Sequence, residues 1–218
     1  MSQFALFAVI EGLDGAGKSE LLRQLTHHLQ PVLGDGFKTT FEPNQYFEQG
    51  QAIRDVLAKR VTVTSRELAE MFAQNRKAHN QQLIVPFLDG ATAEQPRVLL
   101  CDRYYLSSLV YQSTPDFTMD QVWELNRFAR PPHITLFLEA DMETCYQRMG
   151  HRGGDRELFE TNLNVMRDKY EQAIQFLRQR DEHITFIDAN KSVPEVLQQA
   201  ISVLQQYAPA DVKIPAVV

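Results

Sequence analysis

The chain has 218 residues, 44% of them apolar, with a formal net charge of −6 and a pI near 5.5. That length fits one α/β domain with a full core, and the acidic balance argues against a general nucleic-acid binder, which carries a basic face. No apolar run approaches the ~20 residues of a membrane span, and the opening stretch MSQFALFAVIEG lacks the basic flank of a signal peptide, so a cytoplasmic location is expected.

In chain order, FALFAVI (4–10) reads as a first strand, apolar on both faces and bounded by glycine. KSELLRQLTHHLQ (18–30) follows as a helix with Leu21, Leu22, Leu25 and Leu29 on one stripe. FKTTFEP (37–43) is a weaker strand stopped by Pro43. TSRELAEMFAQNRKAH (64–79) opens with Thr64 and Glu67 at capping-box spacing. RVLLCDR (97–103), HITLFLEA (133–140) and HITFIDA (183–189) are further strands without alternation, which implies burial on both faces of a parallel sheet. SVPEVLQQAISVL (192–204) has a second capping box, Ser192 with Glu195, and Pro194 in its first turn, where a missing N–H costs little. Alternating β and α segments predict right-handed crossovers and a doubly wound, five-stranded parallel sheet with helices on both faces. A single domain over residues 1–218 is expected, with a Pro-broken peripheral tail from about 208 to 218. Cys101 and Cys145 fall in different elements and read as reduced core thiols.

Between the first strand and the first helix, Gly12, Gly17, Lys18 and Ser19 satisfy G-x-x-x-x-G-K-[ST], with Leu13, Asp14, Gly15 and Ala16 between them. Polyphosphate oxygens need inward-pointing N–H donors, and glycine lets the backbone approach and take positive φ. The following helix adds the positive end of its dipole. Lys18 places a charge on the β- and γ-phosphates, and Ser19 Oγ can ligate Mg²⁺. Chance alone gives this pattern in roughly 1 in 100 chains of this length, and here it lies between a predicted strand and a predicted helix. A guanine-nucleotide switch would add N-K-x-D, but NKSV (190–193) lacks the aspartate.

A second constellation, CDRYYLSSLVYQ (101–112), ends the third strand, where ligands of open α/β sheets sit. Asp102 there can hold Mg²⁺ through water, and the planar fork of Arg103 can bridge phosphates. Tyr104 and Tyr105 read as core or surface rather than site. Phe72 and Arg76, four apart on one helix, can stack on and hydrogen-bond a nucleobase. Arg148, Arg152 and Arg156 recur around Gly150, Gly153 and Gly154, the pattern of a hinged lid over about 146–160 that delivers arginine to a transferring phosphoryl group.

Together these stretches, with FEP, ITLFLEAD, GGDRELFE and FIDA, resemble the thymidylate kinase family over nearly the whole chain; the combination of F-x-x-x-R with D-R-Y-x-x-S-x-x-x-Y-Q is far more specific than the phosphate loop. The resemblance implies a P-loop kinase three-layer sandwich with a small helical lid, a homodimer, and Mg²⁺-dependent transfer of the ATP γ-phosphate to dTMP. By similarity, residues 12–19, Arg148 and Asn190 would bind ATP. Phe72 would stack on thymine and Arg76 bond its exocyclic oxygen. Ser108 and Gln112 would lie near the base, Tyr111 would crowd the sugar 2′ position, and Asp14 would lie by the acceptor sugar or its phosphate. Glu42 is counted with the acceptor site. Arg103 would clamp the acceptor phosphate. Gly15 stands where some members carry an arginine, so the lid supplies it here, and Arg152 is the expected residue.

The chain departs from the family's R-E-P-G-G-T pattern at FEPNQY (41–46): Phe41 replaces the arginine, Asn44 and Gln45 replace glycines, and Arg54 is another cation available nearby in sequence. The departure keeps a second reading open, a kinase for a deoxynucleoside or another nucleoside monophosphate, with Glu42 as base for a neutral hydroxyl. A third reading is a non-catalytic nucleotide-binding regulator.

Overall fold

The computed structural model describes residues 4–149 and 156–216. Among these, five strands form one all-parallel sheet: β1 (Ala5–Gly12), β2 (Phe37–Phe41), β3 (Arg97–Asp102), β4 (Ile134–Glu139) and β5 (Ile184–Asp188), in the order β2-β3-β1-β4-β5. The helices are α1 (Lys18–Leu33), α2 (Gly50–Leu57), α3 (Ser65–His79), α4 (Val85–Asp89), α5 (Tyr105–Tyr111), α6 (Met119–Asn126), α7 (Met142–Met149), α8 (Arg156–Arg178) and α9 (Val193–Tyr207). The five strands, α1, α3 and α9 follow the sequence reading within a few residues. Strand β1 runs two residues further, to Gly12, and α1 continues through Pro31.

The unbroken apolar strands are explained by two cores. Along β1, Ala5, Phe7 and Val9 point into a core shared with Leu99, Cys101 and Phe137 and covered by α5 and α8. The alternate residues Leu6, Ala8 and Ile10 point the other way, onto Leu21, Leu25 and Leu29 of α1 and Leu197, Ala200, Ile201 and Leu204 of α9. Each such fully buried leucine contributes about 2 kcal/mol. Leu22, placed on the same stripe by the sequence, is only half-buried at the edge of this core. Both cysteines are buried free thiols.

Helix ends follow local chemistry. Thr64 accepts from the Glu67 amide while the Glu67 carboxylate accepts from the Thr64 amide at 2.7 Å, and Ser192 and Glu195 repeat the arrangement at α9. The tail, expected to be peripheral, docks two of its described residues on the core, while the rest are exposed or half-buried. Val212 and Ile214 are buried on the α1/α9 side, and Gln205 Nε2 and His28 Nε2 bond the Ile214 and Pro215 carbonyl oxygens. Its prolines end the helix, but its alternating apolar residues still find a groove. No described helix is long and apolar enough to cross a membrane.

Strand register positions the site. Ile10 pairs with Asp102, and Phe41 pairs with the same Asp102 from the other side. The carboxyl ends of β1, β2 and β3 therefore lie level, and the segments that follow them open onto one crevice.

Candidate active site

The turn after β1 is shaped by its glycines. Gly12, Gly15 and Gly17 take φ of +146°, +84° and +101°. A Cβ at Gly12 would stand 2.7 Å from the Leu138 carbonyl oxygen, and one at Gly15 would stand 2.6 Å from that of Cys145 on α7. No side chain fits at Gly15 without moving α7. Lys18 is buried, with Nζ donating to the carbonyls of Gly12 at 2.9 Å and Leu13 at 2.8 Å, so the loop curls around its own ammonium. Burial and the neighbouring Arg103 lower the Lys18 pKa, against Asp14, Asp102 and Glu11.

A cavity of about 510 Å³ lies over this loop, walled by Asp14, Gly15, Lys18, Ser19, Asp102 and Arg148 among others. Asp102 Oδ1 is buried with no partner among the described residues, and burial raises the Asp102 pKa against the pull of Lys18 and Arg103. A buried acceptor left unpaired calls for a partner from outside the chain. Arg148 donates to the Ala16 carbonyl at 3.1 Å and the Ala189 carbonyl at 2.9 Å, tying the phosphate loop to the turn after β5. Between those two points runs a groove lined by Leu21, Leu138, Ala189, Lys191, Val193 and Val196. Asn190 does not line it: its Oδ1 accepts from the Asp141 amide at 2.9 Å and its Nδ2 donates to Asp188 at 3.1 Å. Its side chain shapes the turn, and the groove wall falls to its neighbours.

A second cavity, of about 350 Å³, opens beyond β2 and β3, lined by Glu42, Pro43, Phe72, Arg76, Ser108, Tyr111 and Gln112, with Leu57 and Leu68 at its apolar side. All the residues assigned by similarity to the acceptor site converge here. Arg54 does not line the cavity. Arg76 is 1% exposed, a guanidinium buried in the floor. Its Nε donates to Glu42 Oε2 at 2.6 Å and its Nη1 to Asn126 Oδ1. The other Glu42 oxygen meets His79 Nδ1 at 2.9 Å, and His79 Nε2 meets Thr40 Oγ1 at 2.7 Å. A buried charge is tolerable only when paired in this way. In contrast, Ser108 Oγ and Gln112 Oε1, both buried, have no partner among the described residues.

The substituted FEPNQY loop is braced differently from a glycine turn. Asn75 on α3 accepts from the Asn44 amide at 2.9 Å and donates to the carbonyls of Asn44 and Glu48, each at 2.8 Å. Asn44 Oδ1 accepts in turn from the Tyr46 amide at 3.0 Å. Phe41 is 42% exposed, at the solvent end of the edge strand.

The two cavities share two residues, Asp14 and Arg103. Arg103 Nη2 donates to Asp14 Oδ1, and Asp14 lies 3.8 Å from Lys18 Nζ. Arg103 Nη1 donates to Ser107 Oγ at 3.0 Å and Tyr170 OH at 3.2 Å, and its guanidinium lies over the Tyr111 ring. Tyr104 and Tyr105 are buried, and Tyr104, read from the sequence as lying outside the site, also lines the acceptor cavity. Arg152 lies outside the described residues. Glu11, Tyr170, His79 and Asn126 were not read from the sequence; only Glu11, a carboxylate inside an apolar strand, gives a local signal.

A family model described as thymidylate kinase matches residues 10–201. The thymidylate kinase of Leuconostoc citreum is 31% identical over 213 residues, covering 92% of this chain and 95% of that protein. That of Desulfotalea psychrophila is 34% identical over 153 residues, 70% of this chain and 72% of that protein. In fold, the chain is similar to the crystal structure of thymidylate kinase from Ehrlichia chaffeensis (TM-score 0.67, 23% identity, 92% of this chain and 98% of that one). The thymidylate kinase from Candida albicans is similar too (TM-score 0.69, 24% identity, 93% and 92%). With the family model spanning most of its length, the chain belongs to the thymidylate kinase family.

Proposed function

We propose that the chain, a single kinase domain, transfers the γ-phosphate of ATP to the 5′-phosphate of dTMP, giving dTDP, and works as a cytoplasmic homodimer. The observation that carries the reading is the shared wall: a phosphate-loop cavity and a base-sized cavity meet at Asp14 and Arg103. ATP lies over the phosphate loop with its adenine in the groove beside Arg148. The monophosphate lies in the second cavity, with its phosphate toward Arg103. Phe72 stacks on the base, Arg76 meets its exocyclic oxygen, and Ser108 and Gln112 supply polar atoms that the protein leaves unpaired. Tyr111 flanks the sugar.

Little covalent chemistry is asked of the protein, because an ionised phosphate is already a nucleophile. The residues hold two anions in line and neutralise them. Lys18 sits on the β- and γ-phosphates, Arg103 draws the acceptor phosphate toward them, and Asp14, between the two cations, orients both. The lid contributes Arg152. Ser19 and Asp102 suit Mg²⁺: the orphaned Asp102 Oδ1 is an acceptor of the kind a hydrated cation satisfies. When bound there, Mg²⁺ would supply positive charge that neutralises the phosphates.

The nucleoside-kinase alternative needs Glu42 as a free base for a hydroxyl. Both Glu42 oxygens are taken, one by Arg76 and one by His79, which favours an acceptor that needs no base. The test is product identification by chromatography with Mg·ATP and dTMP, dUMP, dCMP, dGMP, dAMP or UMP. Diphosphate formed mainly from dTMP, more weakly from dUMP, is expected. Silence on every acceptor with ATP still bound would leave the regulator reading.

A further inference from the structure

We propose that Glu11 is a positioning residue for Arg103, acting through Ser107 and Tyr170; this rests on the reading of Arg103 as the residue that holds the acceptor phosphate. Glu11 is fully buried on β1, one residue before the phosphate loop. A carboxylate there is costly unless its bonds are made. Its contacts all lead to Arg103's surroundings. It accepts from the Tyr104 amide at 2.9 Å, the Ser107 amide at 3.1 Å, Ser107 Oγ at 2.8 Å and Tyr170 OH at 3.4 Å.

Two consequences follow for Arg103. The first concerns its backbone. The Arg103 amide donates to the Ile10 carbonyl at 2.9 Å, and the next amide, Tyr104, donates to Glu11. Both flanking peptides are thus fastened to β1, and Arg103 between them takes φ of +65°, a left-handed conformation that an arginine adopts only under such constraint. Helix α5 has no side-chain cap of its own, and Glu11 serves its first amides from a neighbouring strand.

The second consequence concerns the guanidinium. Arg103 Nη1 needs acceptors and finds two hydroxyls, Ser107 Oγ and Tyr170 OH. A hydroxyl has one proton and can point it either way. Ser107 Oγ donates to the Glu11 carboxylate at 2.8 Å, and Tyr170 OH has the same carboxylate and the Gly12 carbonyl as acceptors, each at 3.4 Å, so both protons turn to these oxygens and the hydroxyl lone pairs turn to Arg103. Tyr170 comes from α8, the helix that begins at Arg156, so the same carboxylate also joins that helix to the acceptor arginine.

Glu11→Gln keeps the shape but introduces an N–H₂ that competes to donate to these hydroxyls, setting their protons against Arg103. Tyr170→Phe removes one of the two acceptors. In wild type and variants, kcat and both KM values would be measured with ATP and dTMP. The Arg103 Nε–H resonance, identified by its loss in Arg103→Lys, would be followed by ¹H–¹⁵N NMR. We expect kcat about a hundredfold lower for Glu11→Gln and about tenfold lower for Tyr170→Phe. The KM for dTMP should rise and that for ATP stay within about twofold, and the Arg103 resonance should shift or broaden in both variants. Unchanged kcat per folded molecule with an unmoved resonance would overturn the proposal. If Glu11→Gln fails to fold, Tyr170→Phe decides by the same two readouts. A wild-type protein that phosphorylates no acceptor would sink the functional reading alone, since the resonance still reports on Arg103.

Discussion

The phosphate loop and the acceptor cavity face each other across Asp14 and Arg103, yet they are built by opposite means. The loop is backbone: three glycines at positive φ and a lysine held by the loop's own carbonyls. The acceptor cavity is side chain. A buried guanidinium is fixed by a carboxylate and an amide from two other elements, and two buried polar atoms are left for a ligand. Backbone recognition suits what every nucleoside triphosphate has in common, whereas side-chain recognition suits what distinguishes one acceptor from another.

That comparison can be broken from either side. On the loop side, Lys18→Ala should reduce kcat by about a thousandfold, the scale of losing one preorganised charge on a transferring phosphoryl group. Thermal stability should change little, because the Gly12 and Leu13 carbonyls freed by the loss of the ammonium can take up water; a melting curve beside the rate assay checks both. On the acceptor side, Glu42→Ala should act in the reverse sense. It strands the Arg76 guanidinium in the floor and should cost about 3–5 kcal/mol of stability, read as a lower urea midpoint at unchanged m.

Smaller effects sharpen the contrast. Gln112→Ala and Ser108→Ala remove the two oxygens that have no partner among the described residues, so stability should hold or rise slightly. The KM for dTMP should increase by about tenfold, near 1.4 kcal/mol, with the KM for ATP unmoved. A fall in stability for either variant would mean the atom is engaged within the protein. The smallest expected effect is a pH slope. Burial raises the Glu11 carboxyl above 4.5, with Arg103, Tyr104, Ser107 and Lys18 opposing. Above that value the unfolded chain releases this proton before the folded one, so the Glu11 contribution to stability falls as pH climbs until the folded carboxyl has also ionised. Glu11→Gln should remove that part of the slope, measurable by denaturant midpoints as the pH is raised from 4.5.

The same contrast explains what the sequence made legible. The phosphate loop is local, so Gly12, Gly17, Lys18 and Ser19 announce it by spacing alone. Asp102 and Arg103 stand out because they end an apolar strand, and Phe72 and Arg76 because they share a helix face. The rest of the site is long-range. Asn126 reaches Arg76 from 50 residues away, and Tyr170 reaches Arg103 from 67. His79 reads as one more polar residue in a basic helix end. Asn44 reads as a lost glycine, and only its pairing with Asn75 shows how the altered loop is held. The tail misled for a different reason: prolines mark the end of a helix, but Val212 and Ile214 still carry enough apolar surface to dock.

The central claim is that the acceptor brings its own phosphate to Arg103, because Glu42 is committed to Arg76 and His79. The most direct test is the initial rate of ADP release with Mg·ATP and either dTMP or thymidine at equal concentration. Turnover at least about a hundredfold faster with dTMP is the predicted result. Thymidine used as well as dTMP, or better, would contradict it and return Glu42 to the part of a catalytic base.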